Sequence, residues 1–115
     1  MSRIVTWAKF QDIYTDQIFF HFNTHFDHRG EIARQKSAEL ILSTITKLNT
    51  ERKPVLVTGD FNARPDSIPY QIMTRSEDFE PVKDAKSLSI QSPHGPEGTW
   101  SGFSFPGEPE KRIDY

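Results

Sequence analysis

Cysteine is absent from all 115 residues, which excludes a disulfide framework and every thiolate metal site. Charge of one sign is not in excess either. The formal net charge of -2 argues against a protein that holds nucleic acid by bulk positive charge. It leaves room for an enzyme that touches phosphates at one site. No apolar run approaches the roughly 20 residues that span a bilayer. Met1 is followed by Ser-Arg-Ile-Val-Thr-Trp, which has no signal-peptide h-region. Internal repeats, low-complexity tracts and charge blocks are missing. Hydrophobic residues are scarce, at 35% of the chain; a self-sufficient domain is nearer roughly 45–50% when glycine is counted. Nine phenylalanines compensate in part. The scarcity points to a core that a surface outside the chain completes. The length fits one domain, able to bury about two-thirds of its unfolded surface.

What is present has a readable order. Residues 3–10 are β-branched and aromatic, which favours a strand. A polar stretch from Asp12 to Gln17 reads as a turn, and residues 18–26 as the second strand of a hairpin. The period-2 rule puts Ile18, Phe20, Phe22 and Phe26 on one face and His21, Asn23 and His25 on the other. Residues 31–49 have a helical pattern, with Ala33, Leu40, Ile41, Ile45 and Leu48 in one apolar stripe. Residues 54–59 form a short apolar run, as in a strand buried on both faces. Ser67 is a fair N-cap for a short helix over 67–75. From 76 to 107 the chain reads as loop-rich, since seven of eight prolines lie at or beyond Pro65. Short strands are expected at 98–102 and 111–115.

Three clusters can carry chemistry. Asn23-Thr24-His25-Phe26-Asp27-His28 packs metal- or phosphate-competent side chains into six positions; its ordinary reading is a polar strand end leading into a helix. Gly59-Asp60-Phe61-Asn62-Ala63 follows a strand, where open α/β sheets place ligands. There a carboxylate can deprotonate a water, and an amide can hold a phosphate oxygen. The ordinary reading is an Asx turn. Arg112-Ile113-Asp114-Tyr115 reads ordinarily as a strand with an exposed charge pair, but its Asp can orient an imidazole. His94 reads as solvated and Trp100 as packing.

Taken in order, Asn23-Thr24-His25, a helix, a strand ending Gly59-Asp60-Phe61-Asn62-Ala63, then Pro65, Ser67 and Tyr70, then Gly98-Thr99-Trp100, then Arg112-Ile113-Asp114-Tyr115 resembles the endonuclease/exonuclease/phosphatase superfamily. The likeness runs from Trp7 onward. It implies an α+β chain, one half of a four-layered α/β sandwich of the deoxyribonuclease I type, with a mixed sheet and flanking helices. The implied activity is divalent-metal-dependent hydrolysis of a phosphoester, by a nuclease or phosphatase, through in-line attack of an activated water. The implied cofactor is Mg²⁺ or Mn²⁺. The resemblance gives His25 the scissile phosphate, Asp60 the attacking water, Asn62 the phosphate and the placing of Asp60, and Asp114 a catalytic histidine. Asn23, Asp27 and His28 would line the site.

Family members carry a metal-binding Glu upstream of the Asn-Thr-His strand and a Ser-Asp-His segment after the Arg-Ile-Asp-Tyr strand. Neither has a match here, so the metal ligands are left unassigned. The chain is expected to be a partial domain over 1–115, its second half, inactive alone. Its expected partners are a phosphoester (nucleic acid, inositol phosphate or phospholipid headgroup) and either the other half of its domain or an oligomeric partner covering the sheet. Two alternatives stand beside this. One is a non-catalytic module or pseudo-enzyme on the same fold. The other is a metallo-β-lactamase-type zinc hydrolase, since Asn23-x-His25-x-Asp27-His28 resembles its His-x-His-x-Asp-His motif with Asn in place of the first His.

Overall fold

The structure is a computed structural model that describes residues 2–103 and 106–115. Ser104 and Phe105 lie outside it, so the loop reading of 76–107 applies to the remainder. Strands β1 (Val5–Gln11) and β2 (Ile18–His25) form the expected hairpin. Its turn is organised by Asp12, whose carboxylate accepts from the Tyr14 and Thr15 amides at 3.0 and 2.8 Å. Helix α1 (Glu31–Leu48) then crosses to β3 (Val55–Asp60), which pairs in parallel with β2. The result is a mixed three-stranded sheet in the order β1-β2-β3. Helix α2 (Ile68–Arg75) and a four-residue turn of helix, α3 (Ala85–Leu88), follow.

One face of the sheet makes the core. Phe20, Phe22 and Phe26 are buried against Ala38, Ile41, Leu42 and Ile45 of α1, with Phe61, Ala63 and Met73 closing the end. Val55 and Val57 join them from β3. Each such large side chain stabilises the fold by roughly 1.5–3 kcal/mol through removal from water.

Several expectations need correction. The helical stripe is rotated: Ala38 and Leu42 are buried with Ile41 and Ile45, while Leu40 is 62% exposed. Ala38, Ile41, Leu42 and Ile45 stand at the i, i+3, i+4, i+7 spacing of one face, Leu40 falls off it, and Leu48 at the helix end is exposed. Strand β3 is not buried on both faces, because Leu56 is 55% exposed. Ser67 does precede α2, but its hydroxyl donates to the Arg64 carbonyl at 2.6 Å instead of capping the helix. The short strands at 98–102 and 111–115 reduce to single bridges, Trp100 with Lys111 and Asp60 with Asp114.

Candidate active site

The chemistry-bearing residues follow from the pairing register. In the parallel pair Asn23 lies opposite Thr58 and His25 opposite Asp60. Paired residues share a face, so these four stand together on the face away from α1. His25 and Asp60 are the last residues of β2 and β3. They therefore sit at the carboxyl ends of two adjacent parallel strands, the usual ligand position of an open α/β sheet.

His25 Nε2 stands 3.3 Å from Asp60 Oδ2, with side chains 56% and 28% exposed. The other oxygen of Asp60 accepts the Asn62 amide at 2.8 Å. Asn62 adopts a left-handed φ of 46°, which Asn tolerates better than most residues. Its Nδ2 donates to the Phe26 carbonyl at 3.1 Å, tying the turn to the end of β2. A second N–H of the same amide stays available to an anion. Phe61, between Asp60 and Asn62, is buried and stacks on Phe26 with ring centroids 4.9 Å apart. The alternation of a polar, an aromatic and a polar residue thus fixes two functional groups around one anchor.

Gly59 is required by a close approach. Its φ is +136°, and a Cβ there would fall 1.9 Å from the Thr24 carbonyl oxygen.

The chain returns to this end of the sheet through residues 112–115. Gly59 and Tyr115 exchange backbone hydrogen bonds at 2.8 and 3.0 Å, and the Phe61 amide donates to the Ile113 carbonyl at 2.8 Å. Asp60 and Asp114 are therefore an antiparallel pair at a non-hydrogen-bonded position, where facing side chains come closest. So His25, Asp60, Asn62 and Asp114 are gathered at one sheet end. Tyr115 packs against Phe61 with tilted rings, centroids 5.0 Å apart, and burial pushes its phenol well above the usual range.

Asn23 lies two residues before His25 on the same face of β2, donating from Nδ2 to Thr58 Oγ1 at 2.9 Å; His21 Nε2 meets the same hydroxyl at 2.8 Å. Asp27 and His28 are used elsewhere. Asp27 Oδ2 accepts from the Gly30 amide at 2.6 Å, and that bond holds its carboxyl below the usual range. His28 Nδ1 lies 3.1 Å from Arg3. With Asn23 and Asp27 so engaged, the zinc alternative finds no ligand set. Among the described residues no group of three or more His, Asp and Glu is placed to hold a metal.

Three participants had no signal, or a misread one, in the sequence. Thr58 shares its hydroxyl with His21 and Asn23; the polar residue two before Asp60 was the available hint. Thr99 Oγ1 accepts from the Ile113 and Asp114 amides at 3.1 and 3.2 Å. Arg112 is not an exposed charge. It grips Asp84 with two bonds of 2.7 Å, the side chains being 17% and 8% exposed. Tyr70 donates to the same carboxylate at 2.9 Å. The Arg112 bonds, aided by Tyr70 and opposed by burial, hold the Asp84 carboxyl down at about 2.

The model of the Endonuclease/Exonuclease/phosphatase family matches residues 3–115. No curated protein matches the chain. Among solved structures, an endonuclease/exonuclease/phosphatase from Bacteroides vulgatus is 52% identical over 65% of this chain and 28% of its own, with a TM-score of 0.62. A mannosyl-6-phosphatase from Bacteroides thetaiotaomicron is 28% identical over 97% of this chain and 41% of its own, with a TM-score of 0.77. The human Nocturnin catalytic domain with bound sulfate is 21% identical over 100% of this chain and 40% of its own, with a TM-score of 0.70, a likeness of fold alone. The chain thus spans less than half the length of each of these proteins. The mixed sheet with flanking helices is a partial deoxyribonuclease I-type sandwich.

Proposed function

The chain belongs to the endonuclease/exonuclease/phosphatase family, and from that premise we propose that it supplies one half of a phosphoesterase active site. The observation that carries the reading is the meeting of His25 and Asp60 at 3.3 Å on the ends of parallel strands. Asp60 orients and deprotonates the attacking water. His25 and the free N–H of Asn62 hold the phosphate oxygens, and the Asn62 amide keeps Asp60 in place. Asp114 orients a histidine contributed from outside the described residues. Phosphoryl transfer needs positioned water and neutralised oxygens more than covalent help, and these groups fit that demand.

The ion implied by the family is Mg²⁺ or Mn²⁺, which typically keeps several waters and is bound by one or two carboxylates and the substrate phosphate. Such an ion would supply charge neutralisation at the phosphate. Its principal protein ligand would be the family's Glu, on another segment. We place this chain as the second half of the domain, its open sheet face covered by the first half. The exposed Leu56 and Phe10 on that face support this placement, as does the fraction of each relative that the chain spans.

Hydrolysis of a generic phosphodiester and a phosphomonoester, with Mg²⁺ and with EDTA, tests the reading. The full-length protein carrying this chain should turn over one of them only with the metal, and the isolated chain neither. A metal-independent rate, or an isolated chain as active as the full-length protein, would overturn it. A mannose 6-phosphate arm is warranted by the name of the Bacteroides thetaiotaomicron relative.

A further inference from the structure

We propose that Asp84 is a positioning residue for this site: through Arg112 it holds residues 112–115 in the register that sets Asp114 opposite Asp60. The inference rests on the reading of Asp60 and Asp114 as site residues.

The register sets two acidic residues across from each other. Asp60 and Asp114 face each other at a non-hydrogen-bonded pair, and like charges directly opposed across strands are destabilising. Among the described residues, three backbone hydrogen bonds join 113–115 to Gly59 and to Phe61 just beyond β3: Phe61 to Ile113, and the reciprocal pair of Gly59 and Tyr115. A one-residue slip would relieve the repulsion and turn Asp114 to the other face. Thr99 Oγ1, which accepts from the Ile113 and Asp114 amides, and the Tyr115 hydroxyl, which donates to the Ala63 carbonyl at 3.1 Å, oppose the slip in part, and Arg112 adds a charged anchor. Arg112 is adjacent to the pairing segment, and its guanidinium takes both oxygens of Asp84 at 2.7 Å. A two-pronged contact of this kind fixes direction as well as distance.

Asp84 is itself held from two further sides, by the Tyr70 hydroxyl at 2.9 Å and by the Lys86 amide at 3.0 Å. It cannot follow a slipping Arg112. The Arg112 guanidinium also lies 4.3 Å above the Tyr115 ring, so it grips the strand beyond Asp114 as well as before it. The opposing repulsion and the buried pin thus act on the same four residues. Nothing in the proposed chemistry touches Asp84 directly.

Hydrogen exchange on the 115-residue chain reads this without any assumption about catalysis. In Asp84→Asn the amides of Gly59, Phe61 and Tyr115 should exchange about tenfold faster, while those of Ile41 and Leu42 in α1 change little. A merely stabilising ion pair would raise exchange uniformly instead. Uniform change, or no change at those three amides, overturns the proposal. If Asp84→Asn unfolds the chain, Arg112→Lys decides by the same pattern, because it keeps the charge and loses the two-pronged grip. In the full-length protein Asp84→Asn should lower kcat about tenfold or more with KM nearly unchanged. There, an Asp60→Asn variant as active as wild type would sink the site reading. A dead Asp60→Asn beside a fully active Asp84→Asn would sink only the positioning role.

Discussion

One face of the sheet is covered by α1 and α2, and on it Phe20, Phe22 and Phe26 are fully enclosed. The other carries Phe10, Leu56, Asn23 and His25 with their side chains in the open. Both faces are written in the same strands at alternate positions, yet they obey different constraints. On the covered face volume and apolarity decide, and phenylalanine after phenylalanine satisfies them. On the open face the spacing of functional groups decides, and apolar residues there, Leu56 and Phe10, stand exposed. The contrast explains how a chain with so few hydrophobic residues still builds a core: it builds one side of a sheet.

The contrast is broken most forcefully by exchanging which face is damaged. Phe22→Ala should cost about 3–5 kcal/mol in chemical denaturation of the chain. His25→Ala, three positions on and on the opposite face, should stay within about 0.5 kcal/mol. Equal losses would contradict the division of the sheet.

Between the faces sits Gly59, where the backbones of β2 and β3 meet too closely for any side chain. Gly59→Ala should destabilise by about 3 kcal/mol and shift the Thr24 and Asp60 resonances together.

A pH titration sharpens the account at the irregular end. The Asp84 carboxyl is held at about 2 in the folded chain, below its ordinary 3.8. A depressed acid stabilises above its unfolded value, and that stability is lost as pH falls through the folded one. The contribution, on the order of 2 kcal/mol, should therefore fade between about pH 4 and pH 2. Asp84→Asn should flatten that part of the stability profile.

The smallest effect belongs to the open face in isolation. Leu56→Thr should change the stability of the isolated chain by no more than about 0.5 kcal/mol. If the first half of the domain covers this face in the full-length protein, as proposed, the loss there should rise to about 2 kcal/mol.

The regular elements were legible because their signals are local. Alternation over 18–26 separates Phe20 and Phe22 from His21 and Asn23 without reference to anything distant. The stripe of α1 was read only in part: Ile41 and Ile45 are buried as expected, but Leu42, three residues before Ile45 and four after Ala38, belongs to that face and Leu40 does not. The site clusters announced themselves by density, as Asn23 to His28 and Gly59 to Ala63. Within that density Asp27 also has a local task, its carboxylate accepting from the Gly30 amide. The Asp84–Arg112 contact was invisible, since its partners are 28 residues apart and neither sits in a periodic segment. Long-range pairing of charges leaves no spacing to read.

The site proposed on the open face is half of a metal-dependent phosphoesterase site centred on Asp60. The most direct measurement is kcat for Mg²⁺-dependent phosphoester hydrolysis by full-length Asp60→Asn, taken with its thermal midpoint. The account predicts a loss on the order of 10³-fold with an unchanged midpoint. A variant that retains the wild-type rate, or loses it only by unfolding, would contradict it.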